Sequence, residues 1–164
     1  MAKEMRFAVL SVLAVSALVA VNFLTFPLSV PYMKDLAGGA PILDMRLGYS
    51  PEAAYHLFDL LGEAGRKANL TLYWSVDLVL PALFGSFLAA AIERGAFSRW
   101  RHVAVAAAAF DYVENIAITI LLLQYPEHHP NGVYVAASVT VVKQLLYGAG
   151  VLLAASGALV QRRR

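Results

Sequence analysis

The chain has no cysteine among its 164 residues. That excludes disulfides, thiolate catalysis and thiolate metal ligands. Charge is also scarce: Asp, Glu, Lys and Arg make up 15% of the residues, where a soluble domain carries about 25%. There is no His-Glu-x-x-His pair, no Gly-x-Ser-x-Gly elbow and no phosphate-binding Gly-rich loop, so the sequence offers no signature of a zinc peptidase, a serine hydrolase or a nucleotide-binding domain. No internal repeat is present, and no low-complexity tract beyond Ala106–Ala109. What fills the space is apolar: hydrophobic residues reach 60% and mean hydropathy is +0.63. This composition excludes a disordered tail and a coiled coil and points to a polytopic membrane protein.

The basic residues agree. A net charge of +2 and a pI near 9.0 would suit a nucleic-acid binder, but their placement does not. Lys3, Arg6, Arg94, Arg99, Arg101, Arg162, Arg163 and Arg164 flank apolar runs, as membrane topology requires. No basic face interleaved with stacking aromatics appears, and no nucleic-acid partner is expected.

A spanning helix needs about 20 mostly apolar residues. Four stretches qualify: 7–26, 70–92, 103–125 and 133–160. Backbone amides in lipid must be satisfied within their own segment, so the fold class is all-α, an integral membrane four-helix bundle forming a single transmembrane domain. The N-terminus, the 93–102 loop and the C-terminus hold the excess of Lys and Arg. The positive-inside rule therefore places both termini on the cytoplasmic side of the cytoplasmic (inner) membrane. The first apolar run is longer than a signal-peptide core, and Leu18 fits poorly three residues before a cleavage point after Ala20, so it reads as an uncleaved span.

The outer loop, 27–69, has structure of its own. Ser50-Pro51-Glu52 is a helix start, with a capping Ser, a Pro at the first helical position and an acid in the first turn. Ala54, Leu57, Phe58 and Leu61 follow at helical spacing, with Gly62 and Gly65 as stops. The pattern predicts a short amphipathic helix over about 51–67, placed as a lid on the bundle's outer mouth or in the interface.

Four ionisable residues lie inside the spans. A charge at mid-bilayer costs about 2.5–3.5 kcal/mol on insertion scales, so such residues face an interior or a cavity and seek partners. At 1.5 Å per residue, Asp77, Lys143, Glu114 and Asp111 fall roughly 10, 15, 16 and 21 Å below the outer ends of their spans. Asn115 shares a face with Asp111, and Thr140, Lys143 and Tyr147 form another. Pro81 removes the helical partner of the Asp77 carbonyl, which predicts a kink there. Three acids against one lysine leave the charge unbalanced unless Arg66 or Lys67 reaches in from the loop, a carboxyl is protonated, or a ligand completes the site. An Mg²⁺ or Ca²⁺ site from Asp77, Asp111 and Glu114 is chemically feasible, but Lys143 competes with the ion. His128-His129 is an adjacent pair with no further ligand motif. Neither a metal nor a cofactor is expected.

Three segments carry a resemblance: Leu43-Asp44-Met45-Arg46-Leu47-Gly48-Tyr49-Ser50-Pro51-Glu52-Ala53-Ala54-Tyr55, Leu61-Gly62-Glu63-Ala64-Gly65-Arg66, and Asp111-Tyr112-Val113-Glu114-Asn115. Together they resemble a group of small four-span bacterial membrane proteins. The resemblance covers roughly residues 42–126. It implies the four-helix architecture and no activity.

The leading expectation is a polar pocket open to the outer leaflet that binds, or acts on, a membrane lipid or amphiphile. Its ligand-binding residues are Asp77, Asp111, Glu114, Asn115, Lys143, Tyr147 and Arg66, with Glu114 and Asp111 as the acid–base candidates. The rival is an accessory or assembly subunit of a larger membrane complex, with a purely structural charge network and small-residue faces such as Gly85 and Ala89 for helix contact. A third reading, a proton-coupled carrier, requires a homo-oligomer. A cavity lined by the charged residues favours the first; a filled, dry bundle favours the second.

Overall fold

The structure, a computed structural model, describes residues 2–162. Arg163 and Arg164 lie outside the described residues, as do the side chains of Lys3 and Arg162, so part of the charge-based orientation rests on groups without a described position. Six α-helices follow in order: α1 (Ala2–Phe23), α2 (Val30–Leu36), α3 (Pro51–Tyr73), α4 (Val76–Arg94), α5 (His102–Gln124) and α6 (Pro130–Arg162). Short 3₁₀ turns occupy Leu43–Met45 and Ser98–Trp100, and no strand occurs among the described residues. Four stretches, 4–23, 51–94, 98–124 and 130–161, hold helices long and apolar enough to cross a membrane. Their outward faces are apolar, with Val12, Val79, Leu123, Leu145 and Leu152 exposed. That surface suits lipid contact and not water.

α5 and α6 form the most extensive helix pair, α4 packs against both, and α1 lies along α4. Close approach depends on glycine. A Cβ on Gly85 would meet the Ala108 Cβ at 2.8 Å, and one on Gly150 would meet Leu88 at 2.7 Å. The small residues noted in α4 therefore serve contacts within this chain. At the basic end of the bundle, Arg101 donates to Glu93 at 3.1 Å, Arg94 pairs with Glu4, and the Ala96 amide donates to the Gly157 carbonyl at 3.3 Å. At the opposite end, α2, the 43–45 turn and α3 pack onto the far halves of α5 and α6. A core of Met33, Ile42, Leu43, Leu57, Phe58, Tyr73, Ile118 and Val133 forms there.

The helix of the 27–69 loop differs from the expected 51–67 lid. Ser50 caps it as anticipated, accepting from the Ala53 amide, and Gly62 does leave helical geometry (φ 60°, ψ −175°). But the chain resumes as helix and runs on to Tyr73. The reason is the guanidinium of Arg66. It donates to the Phe58 carbonyl at 2.9 Å, which the Gly62 break leaves short of its helical partner, and it stacks over Tyr125 at 4.1 Å. Ala54, Leu57 and Phe58 are buried, so this helix is built into the core and not laid over a mouth.

The second span differs as well. The chain turns at Trp74-Ser75, where Ser75 has φ −128° and ψ −77°, and α4 then stays helical through Pro81. The helical backbone is not interrupted at Pro81. The Asp77 carbonyl freed by the proline is taken up by Asn115 Nδ2 at 3.5 Å, and the next carbonyl, that of Leu78, accepts from the Tyr112 hydroxyl at 2.8 Å. Side chains of α5 replace what the proline removes, and the helix continues past it.

Candidate functional site

The charged residues of three helices meet where α4 begins and α5 and α6 are in mid-course. Counted up from the Glu93–Arg101 pair, Asp111 lies about 15 Å along α5 and Asp77 about 24 Å along α4. Lys143 is the hub. Its Nζ forms an ion pair with Glu114 Oε2 and lies 3.4 Å from Asp111 Oδ1. It also donates to the Asp44 carbonyl at 3.5 Å. The helical spacing of the sequence produces this: Glu114 is three residues from Asp111, so one ammonium reaches both from the facing helix.

The remaining oxygens of the two acids are also occupied. Thr140 Oγ1 hydrogen-bonds Glu114 Oε1, and the Tyr147 hydroxyl donates to Asp111 Oδ2 at 3.1 Å. Tyr49 OH lies 3.4 Å from Thr140 Oγ1, which extends the network into the loop. Glu114 is fully buried and Lys143 is 7% exposed. A carboxylate with both oxygens engaged and no exposure holds the bundle together and presents no free base to a substrate. This counts against Glu114 as an acid–base group.

Beside this pair lies a cavity of about 330 Å³. Asp77, Asp111, Lys143 and Tyr147 line it, as the sequence pattern anticipates. Glu114 and Asn115 do not; they sit behind Lys143 and the Asp77 carbonyl. Arg66 does not reach the site at all, because its guanidinium is committed to Phe58 and Tyr125 at the far end of α3. No residue of 51–67 lines the cavity; from the 27–69 loop Val30, Asp44 and Met45 do.

Asp44 is the residue that sequence reasoning missed. It sits in the 43–45 turn between the buried Leu43 and the exposed Met45. Burial pushes its carboxyl above the usual carboxylate range, against the pull of Lys143. Gln144 fixes the turn, donating from Nε2 to the Arg46 carbonyl at 2.9 Å and to the Asp44 carbonyl at 3.4 Å. The signal in the sequence was the apolar run Ile42-Leu43 ahead of the acid, which marks a loop turned inward.

Apolar groups complete the cavity. Leu18 and Val21 of α1, Leu80 and Phe84 of α4, and Leu72 of α3 line it. Phe84 and Tyr147 rings lie 5.4 Å apart between centroids. The walls thus come from α1 on one side and α6 on the other, and these two helices make little contact with each other. Among the described residues no group of three His, Asp or Glu side chains has the arrangement of a metal site. His128 instead stacks on Tyr55 at 3.8 Å, and His129 Nε2 lies 3.7 Å from Glu127. No protein-family model matches the chain, and the searches of curated proteins and of solved structures return no match.

Proposed function

We propose that this protein binds a membrane lipid or other amphiphile in the cavity between α1 and α6. The protein sits in the cytoplasmic membrane with both termini inside, and the cavity lies toward the outer leaflet. The observation that carries the reading is the lining itself: ionisable Asp44, Asp77, Asp111 and Lys143 at one wall and Leu18, Val21, Leu80 and Phe84 at the other. A purely structural charge network needs no such space, since the Lys143–Glu114–Asp111 cluster is complete without Asp44 or Asp77. At about 330 Å³ the cavity is at the small end of ligand pockets, which run about 300–1,000 Å³. It admits a head group and the first few carbons of a chain, and the rest of the chain leaves between α1 and α6 into lipid.

The absence of native cysteine makes the test direct. A single cysteine at Leu80, which lines the cavity, should be protected from a membrane-permeant maleimide by a bound amphiphile. A cysteine at Val79, on the lipid-facing side and 62% exposed, should label at the same rate with or without it. Equal labelling at both positions under every amphiphile tried would remove the binding reading and leave the assembly-subunit reading in its place.

A further inference from the structure

Resting on the binding reading above, we infer that the head group held in this cavity is a protonated amine bearing N–H donors, on a single-chain amphiphile. Some charges of the site are already matched. Lys143 is neutralised by Glu114 and Asp111, and each of those acids has both oxygens in use. Asp44 and Asp77 are different. Among the described residues no ion pair reaches either carboxylate, yet both line the same cavity as Lys143. The site therefore carries four acids against one cation, and Asp44 and Asp77, on two separate elements of the fold, are the two without an ion pair. Burial favours the protonated form of Asp44, and an entering cation favours its ionised form.

The hydrogen-bond inventory points the same way. Asp44 Oδ1, Gln144 Oε1 and Asn115 Oδ1 are buried acceptors without a donor. Asn115 is 3% exposed. The Gln144 and Asn115 amides have their nitrogens committed to backbone carbonyls, so their oxygens are what remains. A buried acceptor left unpaired costs about 1–3 kcal/mol, and these three acceptors outnumber the one unpaired donor beside Asp44, the buried Tyr73 hydroxyl. Asp44 and Gln144 line the cavity directly; Asn115 stands behind the Asp77 carbonyl. A primary ammonium brings one positive charge and three N–H groups. It answers both deficits at once. A quaternary ammonium answers only the first, an alcohol brings one donor and no charge, and a carboxylate answers neither. Phe84 and Tyr147 face the carbons next to the nitrogen, where an aromatic ring also favours a cation.

The test uses four C12 probes of equal chain length: dodecylammonium, dodecyltrimethylammonium, dodecanol and dodecanoate. Equilibrium binding to the full chain in neutral-lipid nanodiscs at pH 7 should rank dodecylammonium at least tenfold tighter than any other. Asp77→Asn should lose at least tenfold for dodecylammonium and shift dodecanol less than twofold. Asp44→Asn lies on a different element and carries the same expectation if the first variant fails to fold. Equal affinity for dodecylammonium and dodecyltrimethylammonium would overturn N–H donation. Equal affinity for dodecanol or dodecanoate would overturn the charge assignment while the binding reading stands. Binding of none of the four would overturn both.

Discussion

Replacing Lys143 by methionine keeps the length of the side chain and removes the charge. Lys143 is 7% exposed and its partner Glu114 is fully buried. Removing one member of a buried pair costs about 3–5 kcal/mol. Here the substitution leaves two carboxylates three residues apart with no cation between them, so the expected loss is toward the top of that range. Glu114→Gln alone is milder, because Lys143 keeps Asp111 at 3.4 Å and a glutamine oxygen still accepts from Thr140; about 2 kcal/mol is expected, the scale of one hydrogen bond to a charged group. The double variant removes both charges together. Its loss should fall short of the sum of the single losses by about 2–3 kcal/mol, the upper range for residues in one network. Unfolding in mixed micelles by rising SDS, followed through Trp74 and Trp100, gives the three values. Losses that add to within about 0.5 kcal/mol would show that the pair is not coupled and that Lys143 reaches charge or water elsewhere.

Other predictions concern separate parts of the molecule. Single cysteines at Gly39 and Ser98 should label with an impermeant reagent from opposite sides of the membrane; labelling of both from one side ends the four-span topology. Gly62→Ala meets no atom within 4 Å, so its cost should be backbone strain alone, about 1–3 kcal/mol, seen as faster amide exchange in α3. A stability matching wild type there would mean that the chain does not hold the positive φ. Asp44→Asn should stabilise the protein at neutral pH. A buried acid with a raised pKa holds its proton in the folded state after the unfolded chain has lost it, so stability falls as pH rises past the unfolded value near 4; the asparagine variant should show a shallower fall, and parallel pH profiles would contradict the burial of Asp44. Gly85→Val should separate α4 from α5, costing about 1–3 kcal/mol, and unchanged thermal stability would argue against their close approach.

The charge hub was legible because the bilayer makes it so. Lys143, Asp111 and Glu114 stand in apolar runs at similar depth, and an ion there has few options but its neighbours. The α5 and α6 boundaries were legible for the same reason, set by the Arg101-His102 and Pro126–Pro130 breaks in the apolar pattern. The outer region obeyed different physics. In the loop an aspartate or an arginine looks solvated by default; only the two apolar residues Ile42-Leu43 mark Asp44 as folded inward, and nothing local reveals that Arg66 is pinned across the Gly62 break. Pro81 shows a third case. The missing amide was read correctly, but its consequence depended on Asn115 and Tyr112 of another helix, and that is tertiary information.

The lopsided packing of α1 bears on how the chain is made. α1 rests on α4 and on little else, and more than fifty residues separate the end of the one from the start of the other. During synthesis the first helix therefore enters the bilayer long before its seat exists. Val9, Val12, Leu13, Val15 and Val19 remain exposed even in the finished bundle, so α1 is as much at ease alone in lipid as beside its partner. Its seat appears only with α4, the next helix it packs on extensively. Until α1 and α4 meet, the cavity lacks the wall that Leu18 and Val21 supply.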